Sequence, residues 1–149
     1  MKIAIGSDHG GYTIKEAIKN YFCDKSISFK DFGTNSNDSA NYVEFAFKVA
    51  NAIAAGEYDK GVLCCGTGIG VSIAANKMKG IRAALCSCEF CAEMSRRHND
   101  ANILCLGGRT INSDKAIKLT EIFIQTSFEA GRHFYRIQDI KKIEEKIFK

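Results

Sequence analysis

A chain of 149 residues fits one domain of ordinary size and is too short for two. Hydrophobic residues make up 46% and charged residues 26%, a balance that excludes disordered and fibrous classes. The formal charge of +4 suits an anionic ligand, but the basic residues are spread out and form no dense tract of the kind that follows a nucleic-acid backbone.

Asp8 comes before any apolar run long enough for a signal peptide, so no export is expected. The longest uncharged stretch, Gly61 to Asn76, carries four glycines and is short for a membrane span. Seven cysteines in such a chain read as reduced thiols rather than a disulfide framework, and the expected compartment is the cytoplasm. Proline is absent, so element boundaries must come from Gly, Asn, Asp and Ser.

In chain order, a β-type run at Lys2 to Gly6 precedes a helical pattern from about Tyr12 to Asp24, with Ile14, Ala17, Ile18 and Tyr21 on one face. A second strand near Ile27 to Phe32 leads through a polar loop, Gly33 to Asn41, into a helix from Tyr42 to Ala55 that Gly56 caps. Further strands are expected at Gly61 to Cys65, Ile81 to Cys86 and Asn102 to Leu106. Helices are expected near Ile69 to Met78, Glu89 to Arg97 and Ser113 to Ser127.

Strand and helix alternate throughout, which predicts a three-layer α/β/α, doubly wound, Rossmann-like domain. Its parallel sheet has five strands in the expected order 2-1-3-4-5, with the topological switch between strands 1 and 3, where ligands enter at the carboxyl ends. The turns Ser7-Asp8-His9-Gly10-Gly11 and Cys65-Gly66-Thr67-Gly68-Ile69-Gly70 follow those two strands and would face one crevice. Beyond the last sheet helix, Arg132 to Lys149 is amphipathic, with Ile137, Ile140, Ile143, Ile147 and Phe148 roughly on one face. It either folds back on its own domain or packs on a second copy; the expectation favours the second, with residues 136–149 as the dimerisation helix.

The turn after strand 3 fits none of the common phosphate loops. A Walker loop needs Gly and Lys where Val71 and Ser72 stand, and both the dinucleotide loop and the cysteine-phosphatase loop fail at Val71. Its glycines could serve only a tight strand-to-helix turn. Cys65, placed just before amides that open a helix, adds a chemical reading. A thiol there can have its pKa lowered from ~8.5 toward neutrality and act as base or nucleophile, and the amides can stabilise an oxyanion. Cys64 should point to the opposite face and pack as a small hydrophobe.

His9 adjoins Asp8, and His98 lies in Arg96-Arg97-His98-Asn99-Asp100, where an amide and a carboxylate could set its tautomer. Arg132 and Arg136 are four apart and could converge on one dianion. Arg109 follows Gly107-Gly108 at the end of strand 5. Surface charge is the ordinary reading of an arginine, but three at these positions point to a phosphate clamp. Cys86, Cys88 and Cys91 gather three thiols in six positions without the fourth ligand that structural zinc needs, so no metal site is expected. Cys23 and Cys105 read as core.

Five blocks, Asp8-His9-Gly10-Gly11, Cys65 to Gly70, Ile73-Ala74-Ala75-Asn76-Lys77, Ser95 to Asn102 and Gly131-Arg132-His133, together resemble ribose-5-phosphate isomerase type B over essentially the whole chain. The resemblance implies a cofactor-independent aldose-ketose isomerase of the pentose phosphate pathway. It would interconvert ribose 5-phosphate and ribulose 5-phosphate through a cis-enediolate, in a homodimer or pair of dimers with sites between subunits. By similarity, Cys65 is the base between C1 and C2, Gly66, Thr67, Gly68, Ile69 and Gly70 hold the enediolate oxygens, and His98 opens the furanose ring. Asp8, His9, Tyr42, Asn99 and Arg109 contact the sugar, and Arg132 and Arg136 with His9 hold the phosphate. Some relatives use a glutamate slightly later in the loop; Val71 fills that place here, so Cys65 keeps the role. The chain departs from the family pattern at Asn41-Tyr42-Val43, where many relatives have Asp-Tyr-Pro. Related enzymes isomerise allose or galactose 6-phosphate, and a non-catalytic sugar-phosphate or nucleotide binding module could share the fold. Cys65 with His98 separates an enzyme from such a module, which would need neither.

Overall fold

Strands and helices alternate along the computed structural model, which describes residues 1–148. The elements are β1 Lys2–Ser7, α1 Tyr12–Asp24, β2 Ser28–Asp31, α2 Tyr42–Ala54, β3 Lys60–Cys65, α3 Ile69–Ala75, β4 Ala83–Leu85, α4 Glu89–Arg97, β5 Ile103–Gly107, α5 Ser113–Gln125 and α6 Arg132–Ile147. A 3-10 turn, His9–Gly11, links β1 to α1.

All strand pairs are parallel, and the order is β2-β1-β3-β5-β4. The expected order 2-1-3-4-5 is therefore corrected at its last two strands. The reason is burial: Ile103-Leu104-Cys105-Leu106-Gly107 is buried at every residue and needs neighbours on both sides. β4 spans only three residues, with Leu85 41% exposed, and suits the edge.

Strand alternation divides the core between two layers. Ile3, Ile5, Val62, Cys64, Leu104 and Leu106 pack toward α1, α4 and α5, with Ile18, Phe22 and Phe123 at the centre. Ala4, Leu63, Cys65, Ile103 and Cys105 face α2 and α3, against Val49, Ile53 and Val71. The helices sit in place through local signals. Asn41 caps α2, its side-chain oxygen accepting the Val43 N–H at 3.0 Å, a bond that a proline at position 43 could not donate. Asn112 caps α5 in the same way through Lys115.

One buried ion pair ties α1 to the carboxyl end of β2. Lys15 is fully buried, and its Nζ lies 2.5 Å from Asp31 Oδ2, which also takes Lys19 at 2.8 Å. Asp31 Oδ1 accepts the Gly33 N–H. Burial pushes the Asp31 carboxyl up, but the two ammonium groups and this N–H more than offset it, and its pKa falls below the ordinary range.

The C-terminal helix divides. His133 and Ile137 of α6 are buried on their own domain, and Gly80 N–H donates to Glu144 Oε1 at 3.2 Å. Ile140, Ile143, Ile147 and Phe148 stay exposed. Lys149, the last residue of the expected dimerisation helix, lies outside the described residues. No helix among the described residues is long and apolar enough to cross a membrane.

Candidate active site

β1 and β3 are neighbours, with β2 beyond β1, so the switch point falls between them and both glycine-rich turns open at the carboxyl edge there. Asp8 is buried and caps its turn, Oδ1 accepting the N–H groups of Gly10 at 2.9 Å and Gly11 at 3.2 Å. His9 Nδ1 accepts the Ala40 N–H at 3.1 Å, which places the proton of the neutral ring on Nε2.

Cys65 ends β3 and is 5% exposed. Its Sγ accepts the Gly68 N–H at 3.1 Å, so the turn folds back on the sulfur. Gly68 takes φ +79° at the N-cap of α3, and a Cβ there would stand 2.5 Å from Leu85 Cδ1 and 2.9 Å from the Leu106 carbonyl carbon. Thr67 Oγ1 accepts the Ile69 N–H at 3.2 Å, and both residues are exposed. The first-turn amides of α3 have no helical acceptors, which makes them groups able to receive an oxyanion. Two side chains border the turn. The Tyr42 ring packs on Gly70, where a Cβ would meet it at 2.8 Å, and the Arg109 guanidinium lies over Gly66. The loop after β5 is bonded directly to it, Gly108 N–H to Cys65 O at 2.8 Å and Arg109 N–H to Gly66 O at 2.9 Å.

Cys64, one residue earlier, is fully buried on the other face, and burial pushes its thiol strongly up. Its expected role as a small hydrophobe holds. Cys105 is likewise core, whereas Cys23, expected there, is exposed on α1.

His98, Asn99, Arg132 and Arg136 are not at this edge. His98 follows α4 and precedes β5, and the Asn102 carbonyl accepts the Gly61 N–H at 2.8 Å, so the 98–102 loop sits at the amino edge of the sheet. The four strand steps from Gly61 to Cys65 cover about 13 Å, so the two edges lie a strand's length apart. The loop is firmly held. Arg96 pairs with Asp100 at 3.0 Å and donates to the Ala101 carbonyl, while Arg82 bonds the Asn99 carbonyl and Asp100.

A residue given no role on sequence grounds joins this second group. The ring of His133 stacks on His98, centroids 4.1 Å apart and planes 12° from parallel. Burial, then His98, then Arg132 lower the His133 pKa. Arg132 Nε reaches His133 Nε2 at 3.5 Å, and Arg132 and Arg136 are exposed on the first turns of α6. The sequence signals for His133 were its place in the Gly131-Arg132-His133 block and four residues before buried Ile137; neither pointed to its partner, 35 residues away. Two cavities, of about 910 Å3 beside Lys60, Arg96 and Thr126 and about 570 Å3 between Ile81 and Ile143, lie away from Cys65.

Known proteins share both the fold and the sequence. Ribose-5-phosphate isomerase B of Escherichia coli is 41% identical over 145 residues, 97% of each chain. The structure of ribose-5-phosphate isomerase B from Clostridium thermocellum superposes with a TM-score of 0.97 at 48% identity, covering 99% of each chain. The Mycoplasma genitalium ribose-5-phosphate isomerase B, solved with bound ribulose-5-phosphate, gives 0.91 at 40% identity, covering 97% of this chain and 96% of that one. Residues 3–140 match the family described as ribose/galactose isomerase, and with a carboxyl-edge thiol turn, a two-histidine amino edge and these relatives, the chain belongs to that family.

Proposed function

We propose that the protein interconverts ribose 5-phosphate and ribulose 5-phosphate, with Cys65 as the base. The observation that carries this is the Cys65 sulfur held by Gly68 N–H at the mouth of the α3 amides. The reaction moves one proton between C2 and C1 of the open-chain sugar. The Cys65 thiolate removes it from one carbon and returns it to the other. The negative charge that develops on the cis-enediolate oxygens is received by amides of the Gly66 to Gly70 turn and the Thr67 hydroxyl, the Gly68 and Ile69 N–H groups exchanging their present acceptors, Cys65 Sγ and Thr67 Oγ1, for the oxyanion. His9 Nε2–H and Arg109 flank the turn and hold the sugar, with Tyr42 over Gly70 closing one side. Asp8 Oδ1 is committed to its turn, which leaves Oδ2 for a sugar hydroxyl. The mechanism uses side chains and backbone alone, in the cytoplasm.

Ring opening by His98, a sugar contact from Asn99 and phosphate binding by Arg132 and Arg136 come from a second copy of the chain, because in one chain they lie a strand's length from Cys65. Two exposed apolar surfaces support that pairing. Val43, Phe47, Ile69, Ile73 and Leu85 lie on the elements around the thiol turn, and Phe134, Tyr135, Ile140 and Ile143 lie on α6 with the arginines. A two-fold homodimer covers both and completes two equivalent sites.

An activity panel over pentose and hexose phosphates, run with purified protein and a chelator, tests the substrate. Turnover of ribose 5-phosphate well above that of allose and galactose 6-phosphates is expected. Preference for either hexose phosphate contradicts the pentose assignment.

A further inference from the structure

The three closely spaced cysteines after β4 divide in the structure. Cys86 is buried, and burial pushes its thiol up to about 11, which leaves it inert. Cys88 is the N-cap of α4, partly exposed, and Cys91 is the third helical residue, exposed. An N-cap side chain lies over the first turn on the side of the third helical residue, so the two thiols share one face of that turn, and a disulfide closes when their Cβ atoms approach to about 3.5–4.5 Å.

Their environments differ. Cys88 makes no side-chain capping hydrogen bond, and the nearby Cys91 N–H, then the Cys91 thiol and Lys115, lower its pKa. Cys88 in turn raises that of Cys91. One sulfur is thus prepared to attack and the other stays a protonated thiol. Among the described residues no group of three His, Cys, Asp or Glu side chains could hold a metal, so this pair lacks the ligand set for one.

We propose that Cys88 and Cys91 form a redox-active dithiol that closes to an intrachain disulfide under hydrogen peroxide, with Cys88 as the attacking sulfur and Cys91 as the resolving one. The Cys88 thiolate attacks one peroxide oxygen, the O–O bond breaks, and the departing hydroxide takes a proton to become water, leaving a sulfenic acid. The Cys91 sulfur then loses its proton and attacks the Cys88 sulfur. The S–O bond breaks and a second water leaves. The dithiol gives up two electrons and two protons, and one peroxide is reduced to two waters.

The test treats the reduced full chain with limiting peroxide, alkylates the remaining thiols and maps peptides by mass. The wild type is expected to yield a Cys88–Cys91 disulfide that dithiothreitol reverses. C91S should accumulate a dimedone-reactive sulfenic acid at Cys88, and C88S should leave Cys91 alkylatable. Both thiols remaining alkylatable in the wild type when Cys23 or Cys65 is already oxidised overturns the proposal. So does a disulfide that joins two chains in place of the intrachain one. The wild-type arm needs no variant to fold.

Discussion

Which of two adjacent cysteines meets the cleft is settled by strand alternation. Cys64 packs with Val62 and Leu104 against α1 and α5, while Cys65 turns to the other face and takes the Gly68 N–H. This was legible in the sequence, because a strand sends successive side chains to opposite faces. The His98–His133 stack was not, since no local pattern joins a helix C-cap to a helix start 35 residues later. Cys65→Ala is expected to lower kcat by at least ~10²–10⁴-fold, the ordinary worth of a placed acid-base group. Its thermal melt should stay near the wild type, because the change removes a single buried sulfur. Full activity in this variant rules out the proposed base. His98→Asn should lose more rate with cyclic ribose 5-phosphate than with an aldose phosphate that cannot close a ring; equal losses refute ring opening.

At the scale of elements, helix limits followed caps and glycines closely, as at Asn41, Asn112 and Gly56. Strand order did not follow from chain order. The uninterrupted Ile103–Leu106 run, against Arg82 within the expected fourth strand Ile81 to Cys86, was the available sign that the fifth lies inside and the fourth outside. Lys15 was also hidden. It lies next to Ile14 on α1 and is fully buried only because Asp31, sixteen residues on, comes to meet it. Asp31→Asn leaves that ammonium with Glu16 alone at 3.2 Å, and a loss of about 3 kcal/mol is expected from breaking a buried pair. The sign with pH follows from the lowered carboxyl pKa. The Asp31 contribution is fully present above the unfolded value of ~3.9 and is lost as pH falls through the folded value. Denaturant melts of the two proteins should therefore differ at pH 7 and converge toward pH 3. A gap that widens in acid contradicts the assignment.

At the scale of the whole molecule, the residues that resemble one family site occupy two edges of one sheet. Asp8, His9, Tyr42, Cys65 to Gly70 and Arg109 gather at the carboxyl edge; His98, Asn99, Arg132 and Arg136 gather at the amino edge with His133. Sequence order names the members of both groups but cannot say which share a chain's cleft, because that depends on where each loop leaves the sheet. On the proposed pairing, a second copy brings together the two half-sites on opposite edges, each of which lies beside exposed apolar residues. Cys65→Ala and an Arg132→Ala/Arg136→Ala double variant should each be nearly inactive toward ribose 5-phosphate. The decisive measurement is the activity of the two co-refolded in equal amounts. Random pairing places an intact thiol opposite intact arginines in one site of every mixed dimer, so about a quarter of the wild-type activity should return. Activity no higher than the sum of the two variants would show that each chain builds its site alone.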